Sequence, residues 1–208
     1  MNRTPSNIEP FVQIALRSQT LVQQKQYDLI PSLFTCISYK SGGALSIRLA
    51  DISDPFYRES MLILTTPDGS KMEDQDEIFW RNLIIEKSFM GAWQVFLMKK
   101  LWHCLPLYDH AGYNRATFFY TNNQLKEFAT IGKDDFDRPI ENLDFHLYDA
   151  TPSLQYVDDS FIIKVCVWNN WRGLFTETEP IHIDQSGNVT FGESQLDTLF
   201  EYNCGILF

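Results

Sequence analysis

Trp102-His103-Cys104 and Tyr108-Asp109-His110 form the densest run of reactive side chains in the chain. A thiol beside an imidazole is the pairing used in nucleophilic catalysis, and His, Cys and Asp are all metal-ligating types. A hydrolase reading would therefore take His103, Cys104, Asp109 and His110 as its catalytic set. The spacing works against it. His103 and Cys104 are adjacent, so on a helix they diverge by about 100° around the axis. Pro106 then separates them from Asp109 and His110. A plain helix end, with His103 near the last carbonyls and Cys104 in the core, accounts for the same residues.

His182 and Asp184 share one strand face in Ile181-His182-Ile183-Asp184, and would meet His146 if their strands were neighbours. Polar side chains on the solvent face of a sheet require no such convergence. Gly42-Gly43 lacks the following Lys-Ser/Thr of a phosphate loop, and Gly187 sits in a hairpin-type turn. Neither G-x-S-x-G nor H-E-x-x-H occurs. The pattern calls for no metal and no cofactor.

The run Trp168-Asn169-Asn170-Trp171-Arg172 differs in kind, because two Trp flank a turn with an Arg beside them. Trp and Arg are the types most enriched in interface hot spots. Stacking on a sugar ring is another use of paired Trp, which would make Trp168 and Trp171 a carbohydrate-binding platform. The structural alternative is that one Trp caps the core while the other covers a sheet edge. These five residues are the candidate binding site.

The elements that must position this turn are legible around it. Residues 161–191 read FIIKVCVW, NNWRG, LFTETEPIHID, QSGN and VTF, the pattern of an antiparallel meander. Phe161, Ile163, Val165 and Val167 share one face, since strand side chains alternate. Ile162, Lys164, Cys166 and Trp168 share the other, also mostly apolar, which predicts a central strand covered on both sides.

Upstream, Ser6-Asn7-Ile8-Glu9 fits a capping box and predicts an amphipathic helix over residues 7–26. Pro31 makes residues 27–38 ambiguous. Strands are expected at Leu45, Ile47 and Leu49 and over residues 61–66, the latter ended by the turn Pro67-Asp68-Gly69. Glu73, Asp74, Asp76 and Glu77 would crowd the positive end of a helix carrying Phe79, Leu83 and Ile84. After Gly91, the recurrence of Trp93, Phe96, Leu97, Leu101 and Cys104 predicts a helix buried across the sheet, with Lys99, Lys100 and His103 in its last turn. A strand over residues 92–98 is the alternative. Residues 115–121 and 143–148 read as strands and residues 132–139 as an exposed loop. Ser194-Gln195-Leu196-Asp197 resembles a second capping box with Leu196, Leu199 and Phe200 behind it, and Ile206-Leu207-Phe208 is expected to pack. The whole predicts one α+β domain over residues 1–208, a helix-rich N-terminal half packed on an antiparallel sheet formed largely by the C-terminal half.

Composition bounds the function. At 208 residues, 44% hydrophobic and 14% aromatic, the chain can build a core without disulfide or metal support. Cys36, Cys104, Cys166 and Cys204 are dispersed, with no C-x-x-C pair, and read as buried thiols of a reducing compartment. No apolar run approaches the roughly 20 residues needed to span a bilayer, and the N-terminus lacks a signal-peptide core, so a cytoplasmic protein is expected. The net charge of −10, with no basic cluster beyond Lys99-Lys100, disfavours nucleic acid and anionic membranes as partners. It favours a basic protein partner instead. The expected function is a non-enzymatic binding protein, in concrete form an acidic inhibitor or immunity-type protein. The hydrolase and the carbohydrate-binding module are the alternatives, and the oligomeric state is left open.

Overall fold

Pro10 stands in the first turn of α1 (Glu9–Gln23), where its missing N–H costs no intrahelical bond. The computed structural model describes residues 2–40, 42–48, 61–65, 71–73, 77–104 and 116–205. The Ser6 capping box does not form. Ile8 is the N-cap without a side-chain bond, and the Glu9 N–H is donated to Asn7 Oδ1 at 2.9 Å. A 3-10 helix, Tyr27–Leu33, then accommodates Pro31.

Short strands follow: β1 (Ile37–Tyr39), β2 (Ala44–Arg48), β3 (Met61–Thr65) and β4 (Lys71–Glu73). β2, β3 and β4 form an antiparallel three-stranded sheet. Glu73 therefore belongs to a strand rather than to a helix start. The helix is the short α2 (Glu77–Arg81), and Leu83 and Ile84 leave it for β5 (Leu83–Ile85), which pairs with β1. Asp74, Asp76 and the expected turn at Pro67-Asp68-Gly69 lie outside the described residues, as do Leu49 and the final Ile206-Leu207-Phe208.

The helix expected after Gly91 is α3 (Phe89–Cys104), which decides against a strand there. Residues 91–98, more than two turns of it, are all buried, among them Trp93, Val95, Phe96 and Met98, and so is Leu101. Fully burying each such apolar side chain contributes about 1.5–3 kcal/mol. Its polar members are matched inside: Trp93 Nε1 donates to the Phe11 carbonyl at 2.8 Å, and Gln94 Oε1 accepts from the Cys36 N–H at 2.7 Å.

β6 (Thr117–Phe119) precedes the helix α4 (Asn122–Ile131). Thr121 caps it by accepting from the Gln124 N–H, and Gly132 ends it at φ 63°. Residues 143–148 alternate like a strand but carry a 3-10 helix, Phe145–Leu147. β7 (Ser153–Val157), β8 (Ser160–Asn169), β9 (Gly173–Ile183), β10 (Val189–Phe191) and β11 (Gln195–Glu201) complete the chain. The second expected capping box is overturned as well: Ser194 precedes a strand, because β11 docks along the outer side of β9.

β8 and β9 pair from Phe161↔Ile181 to Asn169↔Gly173. β6 and β7 lie end to end along the free side of β8, and β10 and β11 along that of β9. β8 is thus the central strand its sequence predicts. Phe161, Ile163, Val165 and Val167 face α1 and α3 in the main core with Phe175, Ile181 and Ile183. Cys166, Trp168 and Leu174 form a second apolar cluster with Phe119, Leu125 and Ile140. The protein is α+β, with helices in its N-terminal half and an antiparallel sheet built by C-terminal strands. Among the described residues no helix is long and apolar enough to cross a membrane.

Candidate functional site

The β8–β9 turn divides its five candidate residues into an inner and an outer set. Trp168 is only 2% exposed and its ring packs against Phe128 and Tyr202, each with centroids 5.0 Å away. Its Nε1 donates to Asn170 Oδ1 at 3.0 Å. Asn170, 3% exposed, donates from Nδ2 to Asp135 Oδ2 at 3.1 Å and accepts the Cys204 N–H at 2.8 Å. Trp168 and Asn170 are therefore inside the fold, out of a ligand's reach. A sugar platform made of Trp168 and Trp171 is not present, because Trp168 faces the second cluster.

Trp171 and Arg172 face outward. Asn169 Oδ1 accepts the Trp171 N–H at 2.9 Å and fixes the turn. The half-buried Trp171 ring meets Phe136 edge-on at 5.7 Å, and the Arg172 guanidinium lies over the Phe175 ring at 5.4 Å. The left-handed residue of this turn is Gly173, at φ 89°. A Cβ there would come within 2.1 Å of the Phe200 carbonyl oxygen, so only glycine allows β11 to close on the turn.

The loop of residues 133–138 supplies Phe136 and is exposed except at Asp134. Asp134 Oδ1 accepts the N–H groups of Phe136 and Arg138, both at 2.9 Å, while its Oδ2 accepts Tyr202 O–H at 3.0 Å. Burial, and then the neighbouring Asp134 carboxylate, push the Tyr202 phenol up to about 12. An open cleft of about 440 Å³ lies beside the turn, lined by Trp171, Arg172, Thr198, Glu201, Tyr202 and Asn203. The Phe136 contact was not legible from the sequence, since nothing in a polar loop announces the aromatic ring it will meet.

The hydrolase set cannot be assembled from the described residues. Asp109 and His110 lie outside them, and of His103 and Cys104 only the backbone, at the end of α3, is described. Cys36, Cys166 and Cys204 are free thiols, and burial pushes the Cys166 thiol up to about 12. A thiol held in that direction is a poor nucleophile. His182 and His146 do not converge: His182 Nδ1 is 2.8 Å from the Asp159 carbonyl oxygen, while His146 lies tilted against the Phe145 ring in the 3-10 helix. No group of three His, Cys, Asp or Glu among the described residues is arranged to hold a metal ion.

The structure assembles a charged cluster that the sequence reading passed over. Glu177 and Glu179 fall on the β9 face that also carries Phe175, Ile181 and Ile183, and α3 covers it. Lys100 Nζ lies 2.7 Å from both Glu177 Oε1 and Glu179 Oε2, and Lys99 pairs with the fully buried Glu179. Burial works against the Lys100 ammonium, but the charges of Glu179 and Glu177 outweigh it and hold its pKa above the ordinary lysine value. Lys99 and Lys100 are thus core counter-ions, not only cations at a helix end. The available signal was two Glu at apolar positions of a strand and two Lys inside an apolar helical run.

No protein-family model, no curated protein and no solved structure matches this chain.

Proposed function

We propose that this protein is a non-enzymatic binding protein of acidic inhibitor or immunity type, recognising a basic protein partner through the face around Trp171. The observation that carries the reading is the Trp171–Phe136 pair, two aromatic rings presented outward from turns that are themselves pinned by buried polar bonds. Aromatic rings have few rotatable bonds, so anchors held this way lose little entropy on binding. Around them Asp197 and Glu201 are exposed, as are Asp135, which accepts from Asn170, and Asp137, which pairs with Lys133 at 2.9 Å. With Arg138 beside them the rim keeps an acidic excess for a basic partner. Arg172 and the cleft beside it add a hydrogen-bonding group and a recess for a partner side chain. A cytoplasmic site of action belongs to the same proposal.

The test takes the protein that co-purifies with the tagged chain from its native host and measures its affinity by calorimetry. Replacing Trp171 and Arg172 together with Ala is expected to weaken binding by at least about 2 kcal/mol, the range of interface hot spots. Association should also slow steeply as salt is raised. An affinity that ignores both the substitution and the salt would refute the proposal.

A further inference from the structure

We propose that the cleft between the start of α3 and the β7–β8 turn binds a small organic anion with a flat apolar body. The cleft measures about 480 Å³, within the range of small-ligand sites, and its lining includes Arg3, Lys87, Phe89, Tyr156, Asp159 and Gln185. Arg3 is brought there by an antiparallel bridge to β7, its N–H donated to the Tyr156 carbonyl at 3.1 Å and its carbonyl accepting the Tyr156 N–H at 2.8 Å.

The charges do not cancel. Lys87 Nζ pairs with Asp159 Oδ1 at 2.8 Å, and the Tyr156 hydroxyl donates to the same oxygen. Asp159 is therefore already engaged, and these two bonds hold its carboxyl below the usual carboxylate range, Lys87 first and Tyr156 second. Arg3 is exposed, its guanidinium 4.9 Å from the Tyr156 ring centroid, and it has no carboxylate partner among the described residues. Within the lining, Arg3 and Lys87 stand against Asp159 alone, a surplus of one positive charge that suits a single negative group. His182, against the Asp159 carbonyl, adds only positive charge if protonated.

The apolar part of the ligand follows from the aromatic side of the cleft. The half-buried rings of Tyr156 and Phe89 flank the buried Phe161, with centroids 4.8 Å and 5.4 Å from it, and offer the cleft its apolar surface. A bare inorganic anion would leave that surface uncovered, and a neutral aromatic would leave Arg3 unmatched. An aromatic monocarboxylate satisfies both.

Benzoate titrated into the full chain, followed by NMR, tests this. Saturable one-to-one binding is expected, with the shifted resonances in Arg3, Tyr156 and Phe89. Acetate, which lacks the ring, and benzamide, which lacks the charge, should each bind at least ten-fold more weakly. Arg3→Gln keeps the backbone bridge and should weaken benzoate at least ten-fold, with an unchanged thermal midpoint showing that the fold is intact. Lys133→Gln, a cation removed from a distant loop, should bind benzoate like the wild type. The proposal is overturned by any of four results: no saturable benzoate binding, acetate or benzamide binding equally well, undiminished binding by Arg3→Gln, or an equal loss in Lys133→Gln.

Discussion

Replacing Lys100 with Met removes one charge from a cluster of two lysines and two glutamates while keeping most of the side chain's volume. Lys100 is 5% exposed and Glu179 is completely buried, so neither solvent nor a rotamer change can replace the lost ammonium. Lys99 remains for Glu179, but Glu177 loses its partner at 2.7 Å. Breaking a buried pair from one side costs about 3–5 kcal/mol, because the remaining charge stays desolvated. With a urea dependence of about 2 kcal/mol per molar, the unfolding midpoint at neutral pH should fall by about 1.5–2.5 M. A lysine whose folded pKa is raised stabilises fully below its unfolded value and loses that contribution as pH climbs through the folded one. The wild type should therefore lose stability above about pH 10 through Lys100, and the variant should lack that loss. Urea denaturation across pH 5–11 reads all of this. A midpoint shift equivalent to less than about 1 kcal/mol, or one independent of pH, would refute the account of this cluster as mutually dependent charges.

The two tryptophans of the turn should separate cleanly. Trp168→Ala is expected to cost about 3–5 kcal/mol of stability and Trp171→Ala about 1 kcal/mol, measured by chemical denaturation; equal costs would contradict their opposite orientations. Gly173→Ala should cost more than about 1 kcal/mol, both from its φ and from the clash with the Phe200 carbonyl, and should expose β11 amides to hydrogen exchange while leaving β7 protected. In thiol labelling read by mass spectrometry, Cys166 should react only on unfolding, whereas Cys36, partly exposed but with its pKa held upward by burial and by Glu86, should react slowly in the native protein and faster than Cys166; rapid native labelling of Cys166 would be inconsistent with its burial.

What could be read along the chain was whatever a local period already decides. In β8, Phe161, Ile163, Val165 and Val167 alternate with residues that are also mostly apolar, and a strand so composed has nowhere stable to lie but the middle of a sheet. In α3, Trp93, Phe96, Leu97 and Leu101 recur at helical spacing with apolar flanks, which calls for burial on every side. The Thr121 cap and Gly132 stop of α4 were also written locally, but the helix buries only Leu125 fully, so its apolar period is faint against its polar residues. Two other local signals pointed the wrong way. Ser194-Gln195-Leu196-Asp197 reads as a helix cap, yet the open side of β9 offers a ladder of backbone hydrogen bonds that a short, weakly nucleated helix cannot match. Residues 143–148 alternate like a strand, but no strand among the described residues pairs with them, and they close as a single 3-10 turn.

The sites belong to the tertiary structure for the same reason. Sequence alone placed two tryptophans at a turn; which one turned inward depended on α4 and Tyr202 arriving on one face of β8. Phe136 is 35 residues from Trp171, and Lys100 is 77 from Glu177. Contacts over such separations are set by how sheet and helices pack, and no periodicity within either segment encodes its partner.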